Sequence, residues 1–162
     1  RNGVAVLVPK RYNDAVLGYK PVNDRMMVVK INTSSVRLNL IQVYVPTSEA
    51  PNEDTEAFYQ QLEETLSMIP GREIVLILGN FNAKVGKTCL DDHARSAVGR
   101  FGIGVCNQRE ERLLDFAIDN ALTIANTVYK HHIRHLYTWV SPGSRYRNQI
   151  DYALISSRWR SS

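Results

Sequence analysis

The sequence predicts an α/β (α+β) fold, a layered β-sandwich flanked by helices. Two β-rich runs, residues 25–31 and 36–45, are separated by a turn-forming cluster of Asn, Thr and Ser, a pattern typical of a hairpin. Two segments, 52–69 and 108–120, carry apolar residues at helical spacing. The aliphatic run 74–78 lies between them and predicts a buried strand. Because strands predominate and hairpins mix with crossovers, packed layers of sheet and helix fit best.

The remaining elements follow from local patterns along the chain. Residues 3–8 form a continuous apolar run that Pro9 ends, which predicts another buried strand. Asn52 is the predicted N-cap of the first helix, because acidic residues follow it in the first turn, where the helix dipole favours them. Residues 83–105 are rich in glycine and predict a long surface loop. Three further strands are predicted, at residues 121–125, 136–140 and 148–156.

Length and composition limit the class of protein. The 162 residues fit one domain with a sizeable core, and the longest aliphatic runs are far too short to span a bilayer. Cys89 and Cys106 match no metal or redox spacing, so we expect structural cysteines in a reducing compartment. His131, His132 and His135 are bunched, but no carboxylate or cysteine lies close by in sequence, which disfavours a metal site.

Positive charge is concentrated near the end of the chain. Residues 127–162 contain six basic residues and one acidic residue, a net charge of +5, whereas the whole chain carries +4 and the rest therefore −1. Tyr137, Trp139, Tyr146 and Tyr152 are interleaved with these basic residues. The pattern indicates a surface that faces a polyanion, and an ordinary solvated basic rim is the alternative.

Four separated motifs carry a resemblance to a known family. They are VYVP (43–46), LGNFNA (78–83), YTWVSP (137–142) and RNQIDYALIS (147–156), and REERLLDFAIDNALTIANT (109–127) lies between the second and third. In this order they resemble the endonuclease/exonuclease/phosphatase family, which has the DNase I-like fold. Within it, the chain is most similar to the endonuclease domain of RTE-type non-LTR retrotransposons (LINE elements). The resemblance covers nearly the whole chain and implies metal-dependent phosphodiester hydrolysis that nicks DNA.

The resemblance implies roles for three residues. Tyr44 matches the tyrosine that contacts the scissile phosphate, and Asn82 matches the asparagine that positions the attacking water and the phosphate. Asp151 matches the aspartate that holds the catalytic histidine in its useful tautomer. From the residues alone, alternatives remain open: Tyr44 as a core aromatic, Asn82 as a turn residue in left-handed geometry, and Asp151 as half of an ion pair.

A basic hairpin is the implied nucleic-acid contact. Thr138 and Trp139 match the strand that enters a hairpin which, in the retrotransposon enzymes, probes the DNA minor groove. Arg145 and Arg147 follow the turn 141–144 and are placed to reach phosphates or a narrow groove. An ordinary basic hairpin tip is the alternative.

Asn80 departs from the family pattern. It follows the predicted strand 74–78, at a strand end where an α/β protein commonly places catalytic groups. The family has an aspartate here, which orients or deprotonates the attacking water, whereas an amide is neutral and cannot accept that proton. Losing general acid–base help typically costs ~10²–10⁴ in rate. We expect impaired nicking, with a non-catalytic DNA- or protein-binding module as the alternative and a lipid or inositol phosphatase as a less favoured one.

The resemblance also implies a cofactor, partners and a compartment. Magnesium would polarise the phosphate, but the family's metal-binding glutamate is expected upstream of Arg1 and its catalytic histidine downstream of Ser162. We therefore expect a single domain truncated at both ends that binds magnesium weakly. DNA is the expected partner, together with a reverse transcriptase domain in the same polypeptide, and the nucleus is the expected location.

Overall fold

The structure, a computed structural model, describes residues 3–86, 94–103 and 108–161, with only the backbone of Gln108. The chain divides into two compact units, Arg1–Gly79 and Asn80–Ser162. Cys89, Cys106 and parts of the predicted loop 83–105 lie outside the described residues. No helix within the described ranges is long and apolar enough to cross a membrane.

The first unit is built from four strands, of which β1, β2 and β3 pair antiparallel, and one helix. Strands β1 (Val16–Asn23), β2 (Met26–Asn32), β3 (Arg37–Tyr44) and β4 (Ile74–Asn80, whose last residue opens the second unit) lie side by side in chain order. Helix α1 (Asn52–Ser67) connects β3 to β4. The predicted hairpin is confirmed, because β2 and β3 pair antiparallel in a register that joins Val28 to Ile41.

Helix α1 covers one face of these strands. Phe58 and Leu62 are buried on the helix, and Met26 and Ile41 are fully buried on the strands. Thr65 Oγ1 lies 3.7 Å from Met26 Sδ, which places the helix against β2. The helical spacing of apolar residues therefore predicted the buried face of α1 correctly.

A polar cluster around the buried Glu73, the residue before β4, contacts β2 and β3. The Asn39 amide donates a hydrogen bond of 2.9 Å to Glu73, which also forms ion pairs with Lys30 (3.5 Å) and Arg37 (3.6 Å). The hydrogen bond from Asn39 lowers the pKa of Glu73 from its usual value; burial opposes this shift, and the two cations support it. The carboxylate is therefore kept charged in a buried position.

Two predictions for the first unit are wrong, and one of its strands was not predicted. Residues 3–8 form no strand, and Leu7 is 96% exposed, because the run has no neighbouring strand to complete a ladder. Strand β1 was not predicted, since Gly18 and Pro21 interrupt its pattern and its register shifts beside both residues. Asn52 is the first helical residue rather than the N-cap, because the extended Pro51 (ψ 149°) occupies that position.

The second unit contains α2 (Gln108–Asp119), β5 (Leu122–Ile124), β6 (Trp139–Val140), β7 (Arg147–Asn148) and β8 (Asp151–Ser156). Strand β5 pairs antiparallel with β8, and β6 pairs with β7 in a separate hairpin. The strand predicted at 148–156 is thus split in two. The split falls at Gln149 and Ile150, where the backbone bonds to other segments instead of continuing one ladder.

The core of the second unit lies between α2 and the β5–β8 pair. Leu113 and Phe116 of α2, Ile124 of β5 and Leu154 of β8 are all fully buried. Glu110 is also buried, and its carboxylate accepts a hydrogen bond of 2.9 Å from the backbone N–H of Gly86. Helix α2 therefore holds the segment that follows β4 in place.

Candidate nucleic-acid interface

Asn80, Phe81 and Asn82 form a tight turn at the end of β4. Asn80 Oδ1 accepts a hydrogen bond of 2.8 Å from the backbone N–H of Asn82, and Asn82 has the left-handed φ of 50°. Asparagine favours such a turn because its short side chain satisfies an N–H two residues on. Asn82 is therefore a turn residue in left-handed geometry, and Asn80 stabilises that turn.

Phe81 joins this turn to the beginning of β8. Its N–H donates a hydrogen bond of 2.8 Å to the carbonyl of Ile150, the residue before Asp151. Its buried ring packs edge-on against Tyr152, with 6.2 Å between the ring centroids. The second unit thus brings the turn that contains Asn80 and Asn82 alongside Asp151.

The backbone at Asp151 is held by two polar side chains. Thr138 Oγ1 accepts hydrogen bonds from the N–H groups of Ile150 (3.0 Å) and Asp151 (3.1 Å). Asn126 donates to the carbonyl of Asp151 (3.4 Å) and accepts from the N–H of Ala153 (2.7 Å). The Asp151 carboxylate is half-buried, and among the described residues no cation forms an ion pair with it.

The β6–β7 hairpin presents cations and aromatic rings to solvent. Arg145 and Arg147 are exposed, as are Trp139 (39%) and Tyr146 (68%). The predicted turn at 141–144 is confirmed by a 2.8 Å hydrogen bond between its first carbonyl and its last N–H. Because Thr138 belongs to both the hairpin base and the contact with the Asp151 backbone, the hairpin begins directly beside Asp151.

The Tyr152 hydroxyl connects the ends of two segments in this region. It donates to the carbonyl of Gln149 (2.8 Å) and accepts from the N–H of Val85 (2.9 Å). Burial raises the pKa of Tyr152 well above its usual value; the Val85 hydrogen bond opposes this shift, and the charges of Glu110 and Asp151 add to it. The phenol therefore stays protonated and keeps both hydrogen bonds at neutral pH.

Tyr44 lies in the first unit, at the end of β3. It is half-buried, and the Arg25 guanidinium stacks over its ring at 5.2 Å from the centroid. Arg25 also donates a hydrogen bond of 3.4 Å to the carbonyl of Tyr44. The meeting of Tyr44 with Asn80, Asn82 and Asp151 around one phosphate stays a prediction.

The described residues do not by themselves fit a magnesium site. Magnesium is bound through carboxylates and further oxygen donors, but beside the single carboxylate of Asp151 the nearby donors are the amides of Asn80 and Asn82. The oxygen of Asn80 already accepts the N–H of Asn82. Within residues 3–86, 94–103 and 108–161, no group of three His, Cys, Asp or Glu side chains is placed to hold a metal.

The exposed histidines near the hairpin are engaged by an arginine. His132 Nδ1 accepts from the backbone N–H of Arg134 (3.3 Å), and His135 Nε2 accepts from its Nε (3.1 Å). These bonds give the bunched histidines a local structural role.

Sequence reasoning missed two residues that organise this region. Asn126 lies in the matched segment 109–127 but received no role, and only that match pointed to it. Tyr152 was counted among the aromatic residues of a basic surface, whereas its side chain is 3% exposed. The alternation of apolar residues along β8 is the signal that could have placed Tyr152 inside.

Comparison with known proteins identifies the relatives of the chain. It is 42% identical over all 162 residues to craniofacial development protein 2 of Bos taurus, and 41% identical to the Tragulus javanicus protein of the same name. The chain spans 27% and 28% of the lengths of these two proteins. No family model matches the chain.

Three solved structures have a fold similar to that of the chain. The endonuclease domain of TRAS1, a telomere-specific non-LTR retrotransposon, has a TM-score of 0.56 at 17% identity, covering 83% of this chain and 50% of that chain. The 3′ phosphatase NExo from Neisseria, bound to a product DNA hairpin, has a TM-score of 0.55 at 21% identity, covering 86% and 55%. An endonuclease/exonuclease/phosphatase family protein from Leptotrichia buccalis has a TM-score of 0.52 at 11% identity, covering 81% and 40%. The chain thus has the DNase I-like endonuclease/exonuclease/phosphatase fold that its motifs predicted, and over its whole length it is similar to a segment of craniofacial development protein 2.

Proposed function

We propose that this chain is a DNA-binding domain of retrotransposon-endonuclease ancestry whose phosphodiester hydrolysis is impaired by Asn80. The observation that carries the proposal is the pair of hydrogen bonds from Ile150 and Asp151 to Thr138. Through them the base of the basic hairpin is bonded directly to the backbone of Asp151. A DNA strand that lies on the hairpin would therefore pass close to the position where the family carries out hydrolysis.

The chemistry of the hairpin supports DNA as the ligand. Arg145 and Arg147 offer two exposed guanidinium groups for phosphates, while Trp139 and Tyr146 offer rings for contact with sugars and bases. The NExo structure of the same fold is bound to a DNA hairpin, which supports the same class of ligand here. Neutralising two phosphates would make binding strongly salt-dependent.

Asn80 supports impaired hydrolysis. An attacking water needs a group that orients it and accepts its proton, and the Asn80 amide cannot accept a proton. Asp151 is a carboxylate-bearing residue whose neighbour Ile150 bonds directly to the turn. We expect DNA binding to persist while nicking is slower by ~10²–10⁴ than with an aspartate at this position.

DNA binding is tested by the salt dependence of affinity for a short duplex. Removing both Arg145 and Arg147 by alanine substitution should lower the affinity and reduce the slope of log K against log salt by about 2. The matched control is the double alanine variant of Arg11 and Arg72, exposed residues of the first unit, which removes the same charge. An equal loss in both variants would contradict a specific role for the hairpin.

Hydrolysis is tested by nicking of a supercoiled plasmid in magnesium. In a chain extended by flanking sequence at both ends, Asn80→Asp should raise the nicking rate by about 10² or more, because the carboxylate can still accept the N–H of Asn82 and adds the missing base. Asp151→Asn in that background should abolish the gain, and Asn52→Asp, which adds the same charge to α1, should give none. DNA binding without nicking in the Asn80→Asp variant would favour the non-catalytic module.

Retrotransposon ancestry further implies context outside the described residues. We propose that the parent polypeptide carries a reverse transcriptase domain and acts in the nucleus, an inference supported by the likeness to TRAS1. Sequencing of the coding region and immunofluorescence of the tagged protein test these two points separately.

A further inference from the structure

The hydroxyl of Tyr44 makes no hydrogen bond within the described part of the chain, although its backbone makes two. The residue ends β3 and is half-buried. The buried hydroxyl of Tyr152, by contrast, makes two hydrogen bonds inside the protein. A tyrosine hydroxyl that is taken out of water usually finds a partner. The Tyr44 hydroxyl is therefore available to a ligand.

Arg25 contacts both the ring and the backbone of Tyr44. Its guanidinium lies over the ring, 5.2 Å from the centroid, and its Nη1 donates a hydrogen bond of 3.4 Å to the Tyr44 carbonyl. In the other direction, the N–H of Tyr44 donates to the carbonyl of Arg25 at 2.9 Å. A rotation of the phenol about its Cα–Cβ bond would break the stacking contact. Arg25 therefore restricts the positions that the hydroxyl can reach.

Arg25 is in turn fixed by a contact to helix α1. The Asn23 side chain accepts a hydrogen bond of 2.7 Å from the N–H of Arg25 and donates one to the side chain of Gln61. Gln61 lies on α1, and all of these residues belong to the first unit. A continuous series of contacts thus runs from the helix through the turn between β1 and β2 to Tyr44.

The charge of Arg25 is not neutralised by a neighbouring acid. The side chain is half-buried, and Asp54 lines the same cleft of about 260 Å³, but no ion pair joins Arg25 to a carboxylate among the described residues. An arginine beside an aromatic ring binds it more strongly when it is partly removed from water and not drawn to an anion. The guanidinium therefore stays on the Tyr44 ring.

Resting on the DNA-binding function above, we propose that Arg25 is the positioning residue of Tyr44 and holds its phenol ready to donate a hydrogen bond to a DNA phosphate. Arg25 acts through Tyr44, because its guanidinium is occupied by the ring and the carbonyl of that residue. A phenol that is ordered before DNA arrives loses less conformational entropy on binding. The hydrogen bond to the phosphate then contributes more to affinity.

A double-mutant cycle measured by fluorescence anisotropy with a labelled short duplex in EDTA tests this proposal. Tyr44→Phe should lower the affinity about tenfold, because a hydrogen bond to a charged oxygen is lost. Arg25→Met should lower it about fivefold in the chain that keeps Tyr44, through loss of the ordered ring. In the Tyr44→Phe background the same substitution should cost less than about twofold, since no hydroxyl is left to position. Equal losses in the two backgrounds overturn the proposal.

The matched control is Arg11→Met, which removes the same charge and a similar stacking contact. The Arg11 guanidinium lies 4.9 Å from the ring centroid of Tyr12, and both residues are exposed. Its effect on affinity should be the same with and without Tyr44→Phe. Coupling of Arg11 to Tyr44 as large as that of Arg25 would contradict a specific role for Arg25.

Arg25→Met keeps the two main-chain hydrogen bonds of this residue, to Tyr44 and to Asn23, so the circular dichroism spectrum should be that of the wild type. Arg25→Lys is the second variant, and the same cycle with it decides if Arg25→Met does not fold. Lysine keeps the charge but lacks the planar fork that reaches ring and carbonyl together, so it should lose about half as much affinity as Arg25→Met or more. Full affinity in Arg25→Lys would show that charge alone suffices and would refute positioning.

Three outcomes separate this proposal from the function on which it rests. Failure of the wild-type chain to bind the duplex would sink both. Wild-type binding that Tyr44→Phe leaves unchanged would keep the DNA-binding function and remove Tyr44 and Arg25 from it. A loss in Arg25→Met that is equal in both backgrounds, with a slope of log K against log salt reduced by about 1, would assign Arg25 to a direct phosphate contact and also overturn the proposal.

Discussion

Tyr152→Phe should destabilise the second unit strongly, although it removes only one oxygen atom. The hydroxyl is buried and makes two hydrogen bonds, one to the carbonyl of Gln149 and one from the N–H of Val85. Phenylalanine fills the same space but leaves both backbone groups without a partner. The segment after β4 and the segment before β8 then lose their direct polar link.

The loss of folding free energy can be estimated from the two backbone groups that lose their hydrogen-bond partner. A buried donor or acceptor left unsatisfied costs about 1–3 kcal/mol, so the pair should cost about 2–4 kcal/mol after partial relaxation. A domain is typically stable by only about 5–15 kcal/mol, so this loss is a large share. With a urea dependence of about 2 kcal/mol per molar, the unfolding midpoint should fall by about 1–2 M.

Tryptophan fluorescence measures the unfolding of the second unit, where Tyr152 lies. Both tryptophans, Trp139 and Trp159, lie in the second unit. The matched control is Tyr129→Phe, because the Tyr129 hydroxyl also donates to a carbonyl but is exposed, and water can replace it. A midpoint for Tyr152→Phe no lower than that of Tyr129→Phe would refute the assignment of the two buried hydrogen bonds.

Three other perturbations follow from the same structure. Gly79→Ala should unfold the first unit or cost at least about 3 kcal/mol, since its φ is +151° and a Cβ would lie 1.9 Å from the carbonyl oxygen of Val43. Gly71→Ala, with no atom within 4 Å of the new Cβ, should be nearly neutral in the same circular dichroism melt. The pKa of Glu73 is lowered in the folded state, so its contribution is complete above the usual value of 4.5 and is lost as the pH falls below it. The hydrogen-exchange protection factors of residues 26–44, which are corrected for the intrinsic exchange rate, should therefore fall in acid, and Glu73→Gln should remove that part of the pH dependence. Calorimetric titration with magnesium should show only weak binding, whereas tight stoichiometric binding would contradict the donor set described above.

The sequence predicted those elements of the fold whose pattern is local. The β2–β3 hairpin and α1 each carry a periodic apolar face, and a turn or a proline marks their ends. Residues 3–8 carry an equally apolar pattern, yet whether a strand forms depends on a neighbouring strand that no local pattern reports. Strand β1 is the opposite case. Its glycine and proline disfavour a strand, but pairing with β2 stabilises one.

The residues of the candidate site were predicted from sequence motifs, but the contacts that hold these residues in place were not predicted. Asn80, Asn82 and Asp151 could be named because short stretches of sequence resemble a family. The two bonds to Thr138, the role of Asn126 and the bridge made by Tyr152 join residues that lie between 3 and 67 positions apart. Such contacts depend on how the backbone folds around α2 and β8, and residue types alone do not encode their partners.

The amide at position 80 keeps the turn stable but removes a negative charge from this region. The turn that it stabilises needs only an acceptor for the N–H of Asn82, and an aspartate would supply one equally well. The turn therefore gives no structural reason to prefer an amide, and the difference between the two residues is charge. A carboxylate beside Asp151 would repel both that group and an approaching phosphate unless a cation lay between them. With Asn80, the turn beside Asp151 carries no charge of its own, next to a hairpin with two exposed guanidinium groups, which is the arrangement on which the proposed DNA binding with impaired hydrolysis rests.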